Sequence, residues 1–219
     1  MIFLSYKILA NKKETCYSMA ILTDDRSEGE MMMSKETIKE QAMRLFAEHG
    51  YEGASMQLVA EAVGIKKQSI YTHYRNKDEL FMAAFEQAIQ NERAAAVETI
   101  QAMTSLAELE GYLYTTAKRY EERIAMRFWL RMSFYPPLHL EKRVMTYVYD
   151  YLDTVEAALY ALFTRQQHEV VEALDAQMMA RAYLSVIDAC HIELLYGGSV
   201  RAAARIEATW VIFKRGVQR

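Results

Sequence analysis

Residues Ser55–Leu80 read SMQLVAEAVGIKKQSIYTHYRNKDEL, and the way one glycine divides them decides the fold. Before Gly64, the apolar side chains Met56, Val59, Ala60 and Val63 recur at three- and four-residue spacing, which predicts a short amphipathic helix with Ser55 as its cap. Gly64 tolerates the left-handed backbone that a sharp turn between helices needs. A second short helix is expected over about Lys66–Tyr74, with Ile70 and Tyr74 inward. Two short helices joined through Ala62-Val63-Gly64-Ile65 have the pattern of a helix-turn-helix, whose second helix enters the major groove of DNA.

The outward residues of that second helix are Lys66, Lys67, Gln68, Ser69, Thr72 and His73, with Tyr71 at the flank. All can hydrogen-bond, and Gln68 and the two lysines have the chemistry to read adenine and guanine. The positive charge is local. Lys66–Lys77 holds Lys66, Lys67, Arg75 and Lys77 and no acid, although the whole chain has a net charge of −3. That is the electrostatic footprint of a phosphate-facing surface on a neutral or acidic body.

Working outward, a first helix is expected over about Lys35–His49, capped by Ser34 and stopped by Gly50, with Ile38, Ala42, Leu45, Phe46 and His49 on one face. Asn76-Lys77-Asp78-Glu79 has the form of a capping box, opening a fourth helix from Lys77 to about Ala96. Ser105 with Glu108 reads as another capping box, and further helices are expected over about Ser105–Arg123, Ile124–Tyr135, Leu138–His168, Asp175–Tyr196 and Ser199–Gly216. Pro136-Pro137 divides two of them, and Gly197-Gly198 turns the chain before Ser199, read as a cap. With two prolines and eight glycines in 219 residues, the chain is expected to be all-α.

Three runs resemble the TetR (tetracycline-repressor-like) family of transcriptional regulators. They are Ala47-Glu48-His49-Gly50-Tyr51-Glu52-Gly53-Ala54-Ser55, Val59-Ala60-Glu61-Ala62-Val63-Gly64-Ile65, and Ile70-Tyr71-Thr72-His73-Tyr74-Arg75-Asn76-Lys77-Asp78-Glu79-Leu80. The resemblance implies an N-terminal three-helix DNA-binding domain joined by a long helix to a C-terminal helical domain for ligand binding and dimerisation. The boundaries are then 34–80 and 81–219. It also implies that Ser55, Tyr71, Thr72, His73 and Lys77 touch DNA, largely phosphates, while Lys66, Lys67 and Gln68 begin the groove-entering helix. Ser or Thr is usual in the family at Lys66 and Gly is common at Gln68, so an operator sequence does not transfer. A homodimer, a small-molecule effector and repression are the family's usual mode.

The body carries two further patterns. Its last two helices are apolar on more than one face, so they need partners on two sides. Ile187, Leu194, Ile206, Trp210 and Phe213 are the candidates for the dimer seam. The middle helices are dense in aromatics and methionine, and Tyr112, Phe128, Trp129, Met132, Tyr147 and Tyr151 are the candidates for an effector pocket. Arg119, Arg127 and Arg131 have the charge to meet an acidic ligand but read first as a solvated face.

Other function classes find little support. Asp188-x-x-His191 is single where a bundle metal site needs paired motifs, and His168-Glu169 lacks the second His of a zinc-protease helix. Neither a Gly-rich phosphate loop nor a nucleophile elbow occurs, so no catalytic residue, metal or cofactor is expected. A helical interaction module without DNA is the other rival, resting on the near-neutral net charge. Cys16 and Cys190 form no disulfide framework, which fits a reducing cytoplasm. No apolar run is long enough for a membrane helix. Residues 1–33 read as a disordered extension or a misassigned start. Glu28-Gly29-Glu30 can be encoded by a purine-rich ribosome-binding stretch, and Met31-Met32-Met33 follow it.

Overall fold

The computed structural model describes residues 35–218; the expectations for residues 1–33 and for the Ser34 cap lie outside them. The described residues form α1 (Lys35–Gly53), α2 (Met56–Val63), α3 (Lys67–Tyr71), α4 (Lys77–Ala102), α5 (Glu108–Glu122), α6 (Ile124–Phe134), α7 (Glu141–Arg165), α8 (Ala176–Tyr196) and α9 (Gly198–Val217). Short 3-10 turns at Leu138–Leu140 and Gln167–Glu169 flank α7. The all-α expectation holds.

Several boundaries differ from the sequence reading for physical reasons. Gly50 kinks α1 rather than ending it, taking φ 71°, ψ 177° before a last helical turn to Gly53. The expected box at Ser105 forms by half. Glu108 accepts from Thr104 N at 2.8 Å and Ser105 N at 3.1 Å, but Ser105 does not cap the helix, which starts at Glu108. The helix expected over Leu138–His168 is shorter because Pro137 imposes a 3-10 turn, with Leu140 N donating to Pro137 O at 2.8 Å. Ser199 lies inside α9; the turn is made by Gly198 at φ 74°. Glu193, almost buried, clamps that turn by accepting from Arg201 Nε at 3.2 Å and Arg205 Nη2 at 2.8 Å.

Aromatic packing joins the first three helices to the body. Phe46 of α1, Phe81 and Phe85 of α4 and Phe128 of α6 are all buried, and their rings meet edge-on or stacked at 5.1–6.1 Å. The hydrophobic core therefore runs continuously across residue 80, carried by α4 and by Phe128. Two arginines of α6 bind the ends of other helices. Arg127 donates to Tyr120 O and Glu121 O at the end of α5, and Arg131 to Ala47 O at 2.6 Å and Glu48 O at 3.2 Å in α1. A cation at a helix C-terminus meets the negative end of the helix dipole and its unpaired carbonyls. The expected solvated arginine face is thus replaced by two such caps and by Arg119, which is buried against Glu92 at 3.4 Å.

Candidate nucleic-acid interface and ligand cavity

The α2–α3 unit is assembled by local hydrogen bonds. Ser55 Oγ accepts from Leu58 N at 3.2 Å and so caps α2, leaving its own hydroxyl proton free. At the other end Gly64 takes φ 80°, ψ 27°. Ile65 N donates to Ala60 O at 3.0 Å and Gly64 N to Glu61 O at 3.1 Å, the pair of bonds that defines a Schellman ending. A Cβ on Gly64 would meet no atom within 4 Å, so glycine is required here for its backbone conformation alone.

The second helix of the pair, α3, spans five residues, Lys67–Tyr71, shorter than the expected Lys66–Tyr74. Turn bonds continue it, since His73 N and Tyr74 N both donate to Ile70 O at 2.9 Å. Ile70 is fully buried and Tyr74 nearly so, with the Tyr74 hydroxyl donating to Lys35 O at 3.3 Å. These two anchors turn the opposite side of α3 to solvent. Lys66, Lys67, Gln68, Ser69, Tyr71 and Thr72 are exposed, and His73 is half-buried. Among the described residues, the side chains of Lys66, Lys67 and Gln68 make no hydrogen bond or ion pair, whereas Thr72 Oγ1 donates to Ser69 O at 2.7 Å. Two long cations and one amide are therefore displayed without an intramolecular competitor.

The turn after α3 is fixed at the start of α4. Asn76 Oδ1 accepts from Glu79 N at 2.9 Å, while Glu79 Oε2 accepts from Arg75 N at 2.8 Å and Arg75 Nε at 3.1 Å. The expected capping box forms with its return bond one residue early, and the Arg75 bonds hold the Glu79 carboxyl below its ordinary value. Lys77 lies with its ammonium 4.1 Å from the centroid of the Tyr51 ring. Tyr51 donates to Asp78, which also meets His139 Nε2 at 3.1 Å, and these contacts hold the Asp78 carboxyl low.

The six pocket candidates do not gather in one place. A cavity of about 410 Å³ lies between α6, α7 and α8, and of the six only Trp129 and Tyr151 line it. Phe128 belongs to the aromatic joint with α1 and α4. Met132 faces a second cavity of about 450 Å³, shared with Gly50, Tyr51, Arg131, Tyr135 and Tyr196. Tyr147 packs edge-on against Phe85 at 6.5 Å. Tyr112 is buried with its hydroxyl unpartnered. Sequence reasoning missed Asp188, His191 and Ile192, which bring α8 to the first cavity; their spacing was visible but was weighed only as a metal motif.

The five seam candidates need correction. Ile187, Leu194, Ile206 and Trp210 are buried in the subunit's own core, and Phe213 is half-buried against Tyr183 at 5.4 Å. The outward stripe of α8 is Met178, Ala182, Ser185, Ala189, Ile192 and Tyr196, and that of α9 includes Val200, Ala204, Ala208, Val211 and Ile212.

Residues 38–84 match the family model described as "Bacterial regulatory proteins, tetR family", so the match spans all of the helix-turn-helix. Over these residues the chain resembles the TetR family of regulators. The HTH-type transcriptional repressor AcnR of Corynebacterium diphtheriae is 37% identical over 83 residues, covering 38% of this chain and 41% of that protein. The biofilm operon icaADBC HTH-type negative transcriptional regulator IcaR of Staphylococcus epidermidis is 40% identical over 52 residues, covering 24% of this chain and 28% of that protein. The chain thus spans less than half the length of both relatives. The fold extends further. A TetR-family regulator from Agrobacterium tumefaciens superposes with a TM-score of 0.68 at 20% identity, covering 84% of this chain and 97% of that one. Salmonella enterica GusR does so with a TM-score of 0.64 at 18% identity over 86% of this chain and 97% of its own. The likeness in fold therefore takes in the body as well as the helix-turn-helix. Among the described residues no helix is long and apolar enough to cross a membrane, and no three His, Cys, Asp or Glu side chains cluster as a metal site.

Proposed function

We propose that this protein is a sequence-specific transcriptional repressor that binds a two-fold symmetric operator as a homodimer and leaves it when a small molecule fills the cavity between α6, α7 and α8. The observation that carries the reading is the exposed face of α3, where Lys66, Lys67 and Gln68 stand free of intramolecular partners on a helix-turn-helix closed by Gly64. Gln68 reads a base, Lys66 and Lys67 reach guanine or phosphate, and Ser55, Ser69, Tyr71, Thr72, His73 and Lys77 position the backbone of the duplex. The repressor names of AcnR and IcaR, both similar to the N-terminal part of this chain, support the direction of control.

Dimerisation is supported by the apolar side chains that α8 and α9 leave exposed, among them Met178, Val200, Val211 and Ile212. The route from cavity to DNA runs through α6. That helix lines the cavity with Trp129, Leu130, Ser133 and Phe134, and the adjacent Arg131 holds two carbonyls of α1. A ligand that moves α6 therefore moves the three-helix unit, and with it the spacing of the two α3 helices.

The test is a fluorescence-anisotropy titration of the full chain with duplexes from its own upstream region at several salt concentrations. Binding should weaken steeply with salt, and the Lys66→Ala/Lys67→Ala double variant should lower the slope by about one unit per lost phosphate contact. A slope and affinity unchanged in the double variant would contradict the placement of α3.

A further inference from the structure

We propose that the cavity between α6, α7 and α8 takes a protonated organic amine with an apolar or aromatic body; this rests on reading the cavity as the effector site. The walls are largely apolar, built by Trp129, Phe134, Met145, Val148 and Tyr151 among others. Trp129 and Tyr151 meet at 5.0 Å between ring centroids, and Phe134 is exposed at the rim. Aromatic faces bordering such a space attract a cation as well as an apolar body.

The polar groups in the wall decide the sign of the ligand. Ser133 Oγ already donates to Trp129 O at 2.8 Å, and Trp129 Nε1 to Met126 Sδ at 3.1 Å, so both donors are engaged. The Tyr151 hydroxyl can donate or accept and so sets no sign, which leaves two groups, one helical turn apart on α8. Asp188 is half-buried and makes no hydrogen bond or ion pair among the described residues. His191 is almost fully buried with its Nε2 unpartnered. Burial raises the Asp188 carboxyl above its ordinary value, as expected of a carboxylate lacking a counter-charge. Burial and the charge of Arg119 lower His191 to about 4, so it is neutral at pH 7 and can accept a hydrogen bond through Nε2. Arg119 does not line the cavity, and Glu92 offsets its charge at 3.4 Å. No Lys or Arg side chain lines the space. A cavity whose unsatisfied groups are a carboxylate and a neutral imidazole nitrogen asks its ligand for a positive charge and N–H donors. An ammonium seated between Asp188 and His191 supplies both, and its apolar body fills the aromatic part. A carboxylate ligand would face Asp188 with like charge.

The test uses three probes of one shape and different charge: naphthylethylamine, naphthylethanol and naphthylacetate. Each is titrated calorimetrically into the full chain at neutral pH without DNA, and into Asp188→Asn. The amine should bind at least about tenfold more tightly than the alcohol, as a charge-assisted hydrogen bond implies, with the acetate weakest. In Asp188→Asn the amine should fall to the level of the alcohol while the alcohol is unchanged, which also shows that the variant keeps its cavity. An amine that binds no better than the alcohol, an acetate that binds best, an unchanged amine in Asp188→Asn, or no binding by any probe would each overturn the proposal. A parallel operator titration separates the two readings. Operator binding with failure of the amine arm overturns the ligand class alone, whereas amine binding without effect on the operator overturns the regulatory role of the cavity.

Discussion

His191 makes stability depend on pH in a way that can be worked out from its burial. It sits 4% exposed on α8 with Nε2 unpartnered and the Trp129 ring edge-on at 5.7 Å. Its folded value is lowered from 6.5 to about 4, first by desolvation and then by the Arg119 charge. The folded state therefore refuses a proton that the unfolded chain accepts, so stability is fully present above about pH 6.5 and is lost as pH falls toward 4. At 1.36 kcal/mol per unit, the loss from pH 7 is about 2 kcal/mol by pH 5 and about 3 kcal/mol by pH 4. Asp188, raised by burial, works in the opposite direction at lower pH and is common to both proteins in the comparison. The assay is urea unfolding followed by far-ultraviolet circular dichroism at pH 7 and pH 5, at fixed protein concentration, for the unmodified chain and for His191→Gln. Glutamine keeps a hydrogen-bonding group but does not titrate. The unmodified chain should lose about 2 kcal/mol more than His191→Gln between the two pH values. Equal losses would refute the reasoning, because the pH dependence would then come from elsewhere.

Gly64→Ala should destabilise the protein by about 1–2 kcal/mol through its left-handed backbone alone, seen as a lower Tm, because the added methyl meets no atom within 4 Å. If the proposed dimer forms, Ile212→Glu, at a position 71% exposed on α9, should convert it to a folded monomer by light scattering, whereas Trp210→Glu, 3% exposed, should unfold the subunit. A dimer that survives Ile212→Glu would contradict the proposed seam. Arg131→Met should cost about 1–3 kcal/mol in urea unfolding by leaving the Ala47 and Glu48 carbonyls without their charged donor; no change would show that the α6–α1 contact carries no stability.

The helix-turn-helix was legible because its signals are local. Ser55, Gly64, Ile70, Tyr74 and Asn76 each act within a few residues, and each takes the structural place its chemistry suggests. The orientation of α8 and α9 was not legible, since a helix apolar on more than one face gives no sign of which face meets its own core. There Ile187, Leu194, Ile206 and Trp210 went inward, while Met178, Ile192, Tyr196, Val211 and Ile212 stayed out. The arginines of α6 misled for a related reason. Arg131 reaches carbonyls more than eighty residues away, a relation that no periodicity records. Pocket membership failed similarly, because Phe128 and Trp129 are neighbours in sequence yet face the aromatic joint and the cavity respectively.

The central claim is that α3 reads DNA in the major groove. Methylation interference tests it most directly, because dimethyl sulfate modifies guanine at N7 in the major groove and adenine at N3 in the minor groove. An operator duplex from the upstream region, sparingly methylated, would be partitioned into bound and free fractions by the full chain. The account predicts that N7-methylated guanines deplete the bound fraction at two symmetric positions about one helical turn, or a multiple of it, apart, where Lys66, Lys67 and Gln68 would meet base edges. Interference confined to minor-groove adenines, or none at any base, would contradict it.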